Sequence, residues 1–171
     1  LRVPVDCDAS SAALAAQVSD GDRCACFMLR LGGVPLHAAR IARVLDYETD
    51  ARLLHYLVDD DRLVSMDLVD VRRVETHRHG WISIEADDSV SDLHIAIGHR
   101  IIEMHASAPS SALRLRGVPS SHRVRLNGRD LPPRDASLTD GLLILPSDWG
   151  NGPPATPPRP WRDSGAAFAR H

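Results

Sequence analysis

The sequence predicts an all-β fold, an antiparallel β-sandwich of Ig-like or jelly-roll-like kind, with a short N-terminal helical segment and a Pro-rich C-terminal tail. Three observations carry this expectation. Short apolar runs alternate with polar residues from Cys24 to Pro146, the period-two signature of half-buried strands. Turn-forming clusters interrupt those runs at a spacing of roughly 8–12 residues, as in sandwiches and barrels. Asn127-Gly128 separates RVRL from RDL, and this pair tolerates the positive φ that a tight hairpin turn demands.

Taken in order, residues 1–23 form a lead-in: an extended LRVPVDC, then SSAALAAQV, an Ala-rich stretch with Ser10 or Ser11 as helix N-cap. The DGD at 20–22 closes it with a turn. CACFMLRL reads as a strand ended by Gly32-Gly33. AARIARVLDY, RLLHYLV and RLVSMDLVDVRRV, separated by ETDA and DDD, read as a three-stranded meander. AARIARVL and RLVSMDLVDV are each also compatible with a helical turn, because short apolar runs fit both periods. WISIE follows Gly80, an Asp87-Asp88-Ser89 turn leads into LHIAI, and Gly98 opens HRIIEMHA. Ser111 to Pro146 reads as strand, turn, strand, turn, strand. After Pro146 the composition becomes proline-rich, which supplies few ladder donors. The expected organisation is therefore a β domain over 24–146 and a tail or linker over 147–171.

Composition narrows the chemistry. At 171 residues the chain is long enough for a sizeable core, and with 4% aromatic residues that core is built mainly from aliphatic side chains. No apolar run has the length of a membrane-spanning helix, and a net charge of −3 gives no global attraction to nucleic acid. Every basic residue is Arg, so Schiff-base and P-loop lysine chemistry are excluded. Three cysteines give no closed disulfide framework. The start at Leu1, without a basic and apolar leader, fits an excised domain, a processed subunit or a mature secreted chain.

LRLRGVPSSHRVRLNGRDL followed by DGLLILP resembles the C-terminal β-sandwich domains appended to many glycoside hydrolases and polysaccharide lyases. The resemblance implies a non-catalytic accessory domain and transfers no catalytic residue.

Several side-chain groups could carry chemistry. Arg114, Arg116, Arg123 and Arg125 could meet across a hairpin as a guanidinium ladder, a surface suited to carboxylates or sulfates; the alternative is a solvated face paired with aspartates. His77 and His79 would share a strand face and could bind one metal ion with Glu85, and with His122 and Asn127 following much later the order resembles the cupin barrel; otherwise they are solvent-facing turn residues. His99, Glu103 and His105 share strand parity, which suits acid–base work in a cleft or simply the wet side of a sheet. Cys24 and Cys26 fall on one face with Met28, either a soft-metal set or core packing. Asp59-Asp60-Asp61 and Asp87-Asp88 fit turns.

No segment carries a catalytic or cofactor motif, so no cofactor is expected. The leading functional expectation is a non-catalytic accessory module of a larger carbohydrate-active bacterial enzyme. Its partners would be a catalytic domain or subunit and an acidic polysaccharide. One alternative is a small cupin-like metalloprotein using His77 and His79. Another is an interaction module, since residues 38–74 resemble SH3-like or Tudor-like barrels in turn spacing, with Tyr47 and Tyr56 as the aromatics available for a cage.

Overall fold

The computed structural model describes residues 2–3, 12–31, 42–107, 112–131, 137–139 and 141–145. Among these residues every regular element is a β-strand, and the strands form one large, mostly antiparallel sheet. The expected tail over 147–171 lies outside the described residues.

The organising unit is a ribbon of two fifteen-residue strands, β7 (Arg62–Thr76) and β8 (Ser83–Ile97). They pair from Ser65 opposite Ala96 to Val74 opposite Ile84, with a register shift between Val71 and Arg73. One edge of the ribbon receives β6 (Leu53–Asp59) and then β5 (Tyr47–Thr49). The other receives β9 (Ile101–Ala106) and then β10 (Leu113–Arg116). Outward from β6 come β3 (Arg23–Leu31), β2 (Ala12–Asp20) and β1 (Arg2–Val3). Outward from β5 comes β4 (Ala42–Val44). Beyond β10 lie β14 (Leu142–Leu145) and β13 (Ser137–Thr139). Beyond β9 lies β11 (Arg123–Leu126), the one parallel pairing among the described strands, followed by β12 (Arg129–Asp130).

The ribbon is sharply bent. Fifteen extended residues would span about 50 Å. Yet the Trp81 indole, just past the end of β7, donates to the Asp61 carbonyl, just before its start, at 3.1 Å. The sheet therefore doubles over on a single core that includes Met28, Leu54, Met66, Leu68, Ile84, Leu93, Ile95, Ile102, Leu115 and Leu143. At the bend β7 has lost β6 and not yet gained β5. Buried Asp50 (5% exposed) fills that gap: its Oδ1 accepts the backbone N–H groups of Arg72 at 3.0 Å and Arg73 at 2.8 Å. A carboxylate thus does the work of a missing strand, since buried N–H groups need an acceptor.

Four expectations need correction. The N-terminal helical segment is strand β2. The Asp20–Asp22 turn, with Gly21 at φ 57°, closes a hairpin that sets all nine residues of β2 opposite β3. That ladder and the burial of Ala15 outweigh the propensity of a stretch too short to hold a helix alone. The Asp87-Asp88-Ser89 turn is instead an insertion within β8, stitched to the neighbouring segment by the Asp87 N–H donating to the Ala112 carbonyl at 3.2 Å. The three-stranded meander does not form in the expected order, because β4 and β5 make a hairpin of their own and β5 does not pair with β6. Leu45 and Asp46 make the turn between β4 and β5, with Leu45 at φ 47°, and that hairpin pairs with the C-terminal part of β7 while β6 pairs with its N-terminal part. Finally, β10 and β11 do not pair, so the arginine hairpin is absent. The Asn127-Gly128 hairpin turn is present, with φ 48° and 80°, and joins β11 to β12.

Candidate functional site

The loop from 77 to 82 that joins β7 to β8 builds the most elaborate surface of the described chain. Trp81 is 6% exposed and packs its ring against Tyr47 and Tyr56, with centroids 5.7 and 5.8 Å away; the two tyrosines meet edge-on at 5.0 Å. Both tyrosine hydroxyls are buried, that of Tyr47 without a hydrogen-bond partner and that of Tyr56 against the Cys26 thiol, and burial raises their pKa values. Arg78 lies 4.8 Å above the indole and donates to Asp46 at 2.8 Å and to the Asp61 carboxylate. This cation–π contact and two carboxylates fix the guanidinium.

Beside this platform is a cleft of about 620 Å³, lined by Glu75, His77, Arg78, His79, Ser83 and Arg116. Its opposite wall is the backbone at Gly117, held at φ 84° so close to the loop that a Cβ there would fall 2.1 Å from the Trp81 carbonyl oxygen. A smaller cleft of about 450 Å³ adjoins through His77 and Arg78. The carboxylates here are already engaged. Arg73 donates to Glu75 at 2.7 Å and holds its carboxyl below the usual range, with Arg116 and His77 adding to that field. Asp46 and Asp61 hold Arg78. Arg116 is the looser cation: it is 66% exposed and stands 3.7 Å from Glu85.

The structure thus brings together residues that the sequence kept in separate groups. Arg116 from the expected arginine ladder lines the same cleft as His77 and His79 from the expected metal pair. The rest of the ladder is dispersed. Arg114, also on β10, donates to Asp87 at 2.7 Å. On β11, Arg125 donates to Glu103 at 2.8 Å and to Asp130 at 3.3 Å, while Arg123 is exposed. His77 and His79 sit in the loop, not on a strand, so no shared strand face presents them. Glu85 lies on β8 beside Arg116. Among the described residues no group of three or more His, Cys, Asp or Glu is placed to hold a metal ion.

Other expected groups have structural roles. The Asn127 side chain donates to the Ala106 carbonyl at 3.1 Å and accepts its N–H at 3.0 Å, extending the β9–β11 ladder past its last backbone pair. His122 meets the Gly98 carbonyl at 3.1 Å. The Cys24 and Cys26 sulfurs are 3.5 Å apart with Gln17 donating to Cys24 at 3.0 Å, and burial pushes the Cys26 thiol up to about 11.

A second polar group was visible in the sequence only through His105, there set with His99 and Glu103. His55, Asp67, His94 and His105 stand directly opposite one another on β6, β7, β8 and β9. Each occupies an outward position of its own strand, but only the pairing register shows that the four form a row. Compared with known proteins, the chain matches no family model and no curated sequence.

Proposed function

We propose that this chain is a non-catalytic accessory module of a larger carbohydrate-active enzyme, partnered by its catalytic domain or subunit, and that it holds a carboxylated or sulfated saccharide in the 77–82 cleft. The observation that carries this reading is the meeting of Arg116, His77 and His79 in one cleft whose acidic neighbours are already occupied by Arg73 and Arg78. A planar guanidinium with a loose partner suits bidentate capture of a carboxylate or sulfate. The doubled, strand-rich sheet supports the accessory role through its likeness to sandwich architecture, and the 111–146 segment supplies two of the strands that frame the cleft side of the ribbon, β10 and β14. The Arg123 and Arg125 surface lies on another branch of the sheet and is excluded from the proposed site.

The test is retention on immobilised uronic-acid and sulfated polymers at low ionic strength. Wild type should be retained and released by salt, because such contacts are screened. An Arg116→Gln/His77→Gln/His79→Gln variant should elute early, and Arg123→Gln/Arg125→Gln should elute with wild type. Equal elution of all three proteins, or early elution of the second variant alone, would overturn the proposal.

A further inference from the structure

The row on the outer face of β6 to β9 has a chemistry different from that of the cleft. Asp67 sits between two histidines, accepting from His55 Nδ1 at 2.8 Å and from His94 Nδ1 at 2.5 Å. A carboxylate that accepts from Nδ1 selects the tautomer in which the neutral imidazole carries its proton there and offers the Nε2 lone pair. An imidazole fixed in this tautomer by an outer carboxylate is the arrangement found behind metal-binding histidines.

His94 has a second imidazole beside it. His105 is its direct cross-strand partner, with ring centroids 6.2 Å apart and planes inclined by 36°. Metal–nitrogen bonds of about 2.0–2.1 Å place two imidazoles on one ion roughly 5–6 Å apart by centroid, close to the present separation. Both rings line a groove of about 370 Å³ together with Asp67, Asp92, Ser107 and Asn127. Asp92 accepts from Ser107 at 2.5 Å, so an acidic oxygen faces the same space. Among the described residues no third His, Cys, Asp or Glu completes a ligand set with the pair, which leaves further coordination positions to water.

We propose that His94 and His105 chelate a divalent imidazole-seeking transition-metal ion, of the Zn(II), Ni(II) or Cu(II) class, with Asp67 as the positioning carboxylate behind His94. Neutral imidazole and this class of cation are matched in hardness, and the cross-strand register pre-aligns the two ligands. The site is independent of the saccharide cleft and shares no residue with it.

The experiment uses the untagged full chain, with Zn(II) followed by calorimetry and Ni(II) by paramagnetic broadening of histidine ring resonances in NMR spectra. Wild type should bind one equivalent of Zn(II). His94→Gln and His105→Gln should each weaken binding at least about tenfold, and Asp67→Asn by about 10–100-fold. In unmodified protein, Ni(II) should broaden the His94 and His105 rings first, a readout that needs no variant to fold. Absence of binding, binding unchanged in both histidine variants, or broadening centred on His77 and His79 would each overturn the proposal.

Discussion

The two halves of the β7–β8 ribbon set different side chains against their outer-face carboxylates. Toward the 77–82 loop, guanidinium groups hold them: Arg73 to Glu75, Arg114 to Asp87 and, loosely, Arg116 to Glu85. Beyond the bend, imidazoles hold Asp67, from His55 and His94 together, while Arg52 holds Asp70 next to the bend itself. The strands, the sheet and the core are shared, so the difference comes from side chains alone. Arginine keeps its charge and only donates, which leaves that half suited to anions. A neutral histidine fixed through Nδ1 offers a lone pair, which leaves the other half suited to cations. One strand pair thus presents two opposite ligand chemistries, separated by a bend.

The bend is where the comparison is most easily broken. Asp50→Ala removes the acceptor for two backbone N–H groups in a buried joint. The expected loss is about 2–4 kcal/mol, the cost of leaving such donors unsatisfied. Asp50→Asn keeps an oxygen in place and should lose less. Denaturant unfolding of the two variants measures both values. A loss in Asp50→Ala no larger than that of a surface substitution would show that the bend is held by the sheet itself.

Alkaline unfolding asks whether the halves share one fate. Burial raises the pKa of the Cys26 thiol to about 11 from an ordinary value of 9.0, and raises the hydroxyls of Tyr47 and Tyr56. In the fold all three keep their protons while the unfolded chain ionises. The unfolded state then binds fewer protons, and stability falls as pH rises past about 9. The chain has two tyrosines, both in the aromatic cluster under Arg78. Tyrosinate absorbance should therefore rise only with the loss of β-sheet circular dichroism, in a single transition. Tyrosinate forming well before that loss would mean that the cleft end opens separately.

The smallest effects belong to the outer-face pairs. Asp67→Asn should cost less than about 1 kcal/mol, because its partners are solvent-accessible, and Arg114→Gln should leave the melting temperature unchanged. Thermal unfolding checks both, and a large loss at either position would make these pairs structural elements instead of ligand surfaces.

Strand content was legible in the sequence wherever alternation was undisturbed, as in CACFMLRL and HRIIEMHA, and the Asn127-Gly128 turn was legible because positive φ selects those residues. What was not legible arose from bulges and from pairing. In β7 the buried residues Leu63, Met66, Leu68, Val71 and Val74 are spaced by twos and threes, because register shifts opposite Leu57/Val58 and at Val71/Arg73 break the period. That spacing is what made the segment resemble a helix. Asp87-Asp88-Ser89 has turn chemistry but bonds sideways to Ala112, a contact the local sequence does not encode. The candidate sites are nonlocal throughout. Arg116 joins His77 and His79 only because Gly117 lets β10 end against Trp81, and His55, Asp67, His94 and His105 align only through three successive registers.

The most direct test of the two-chemistry ribbon is a single amide NMR titration of the full chain, first with a uronic-acid oligosaccharide and then with Ni(II). The saccharide should shift amides of residues 75–83 and 116–118, and Ni(II) should broaden those around Asp67, His94 and His105 while leaving the first set untouched. Both ligands perturbing the same residues, or the saccharide acting instead on β11, would contradict the separation of anion and cation sites along the strand pair.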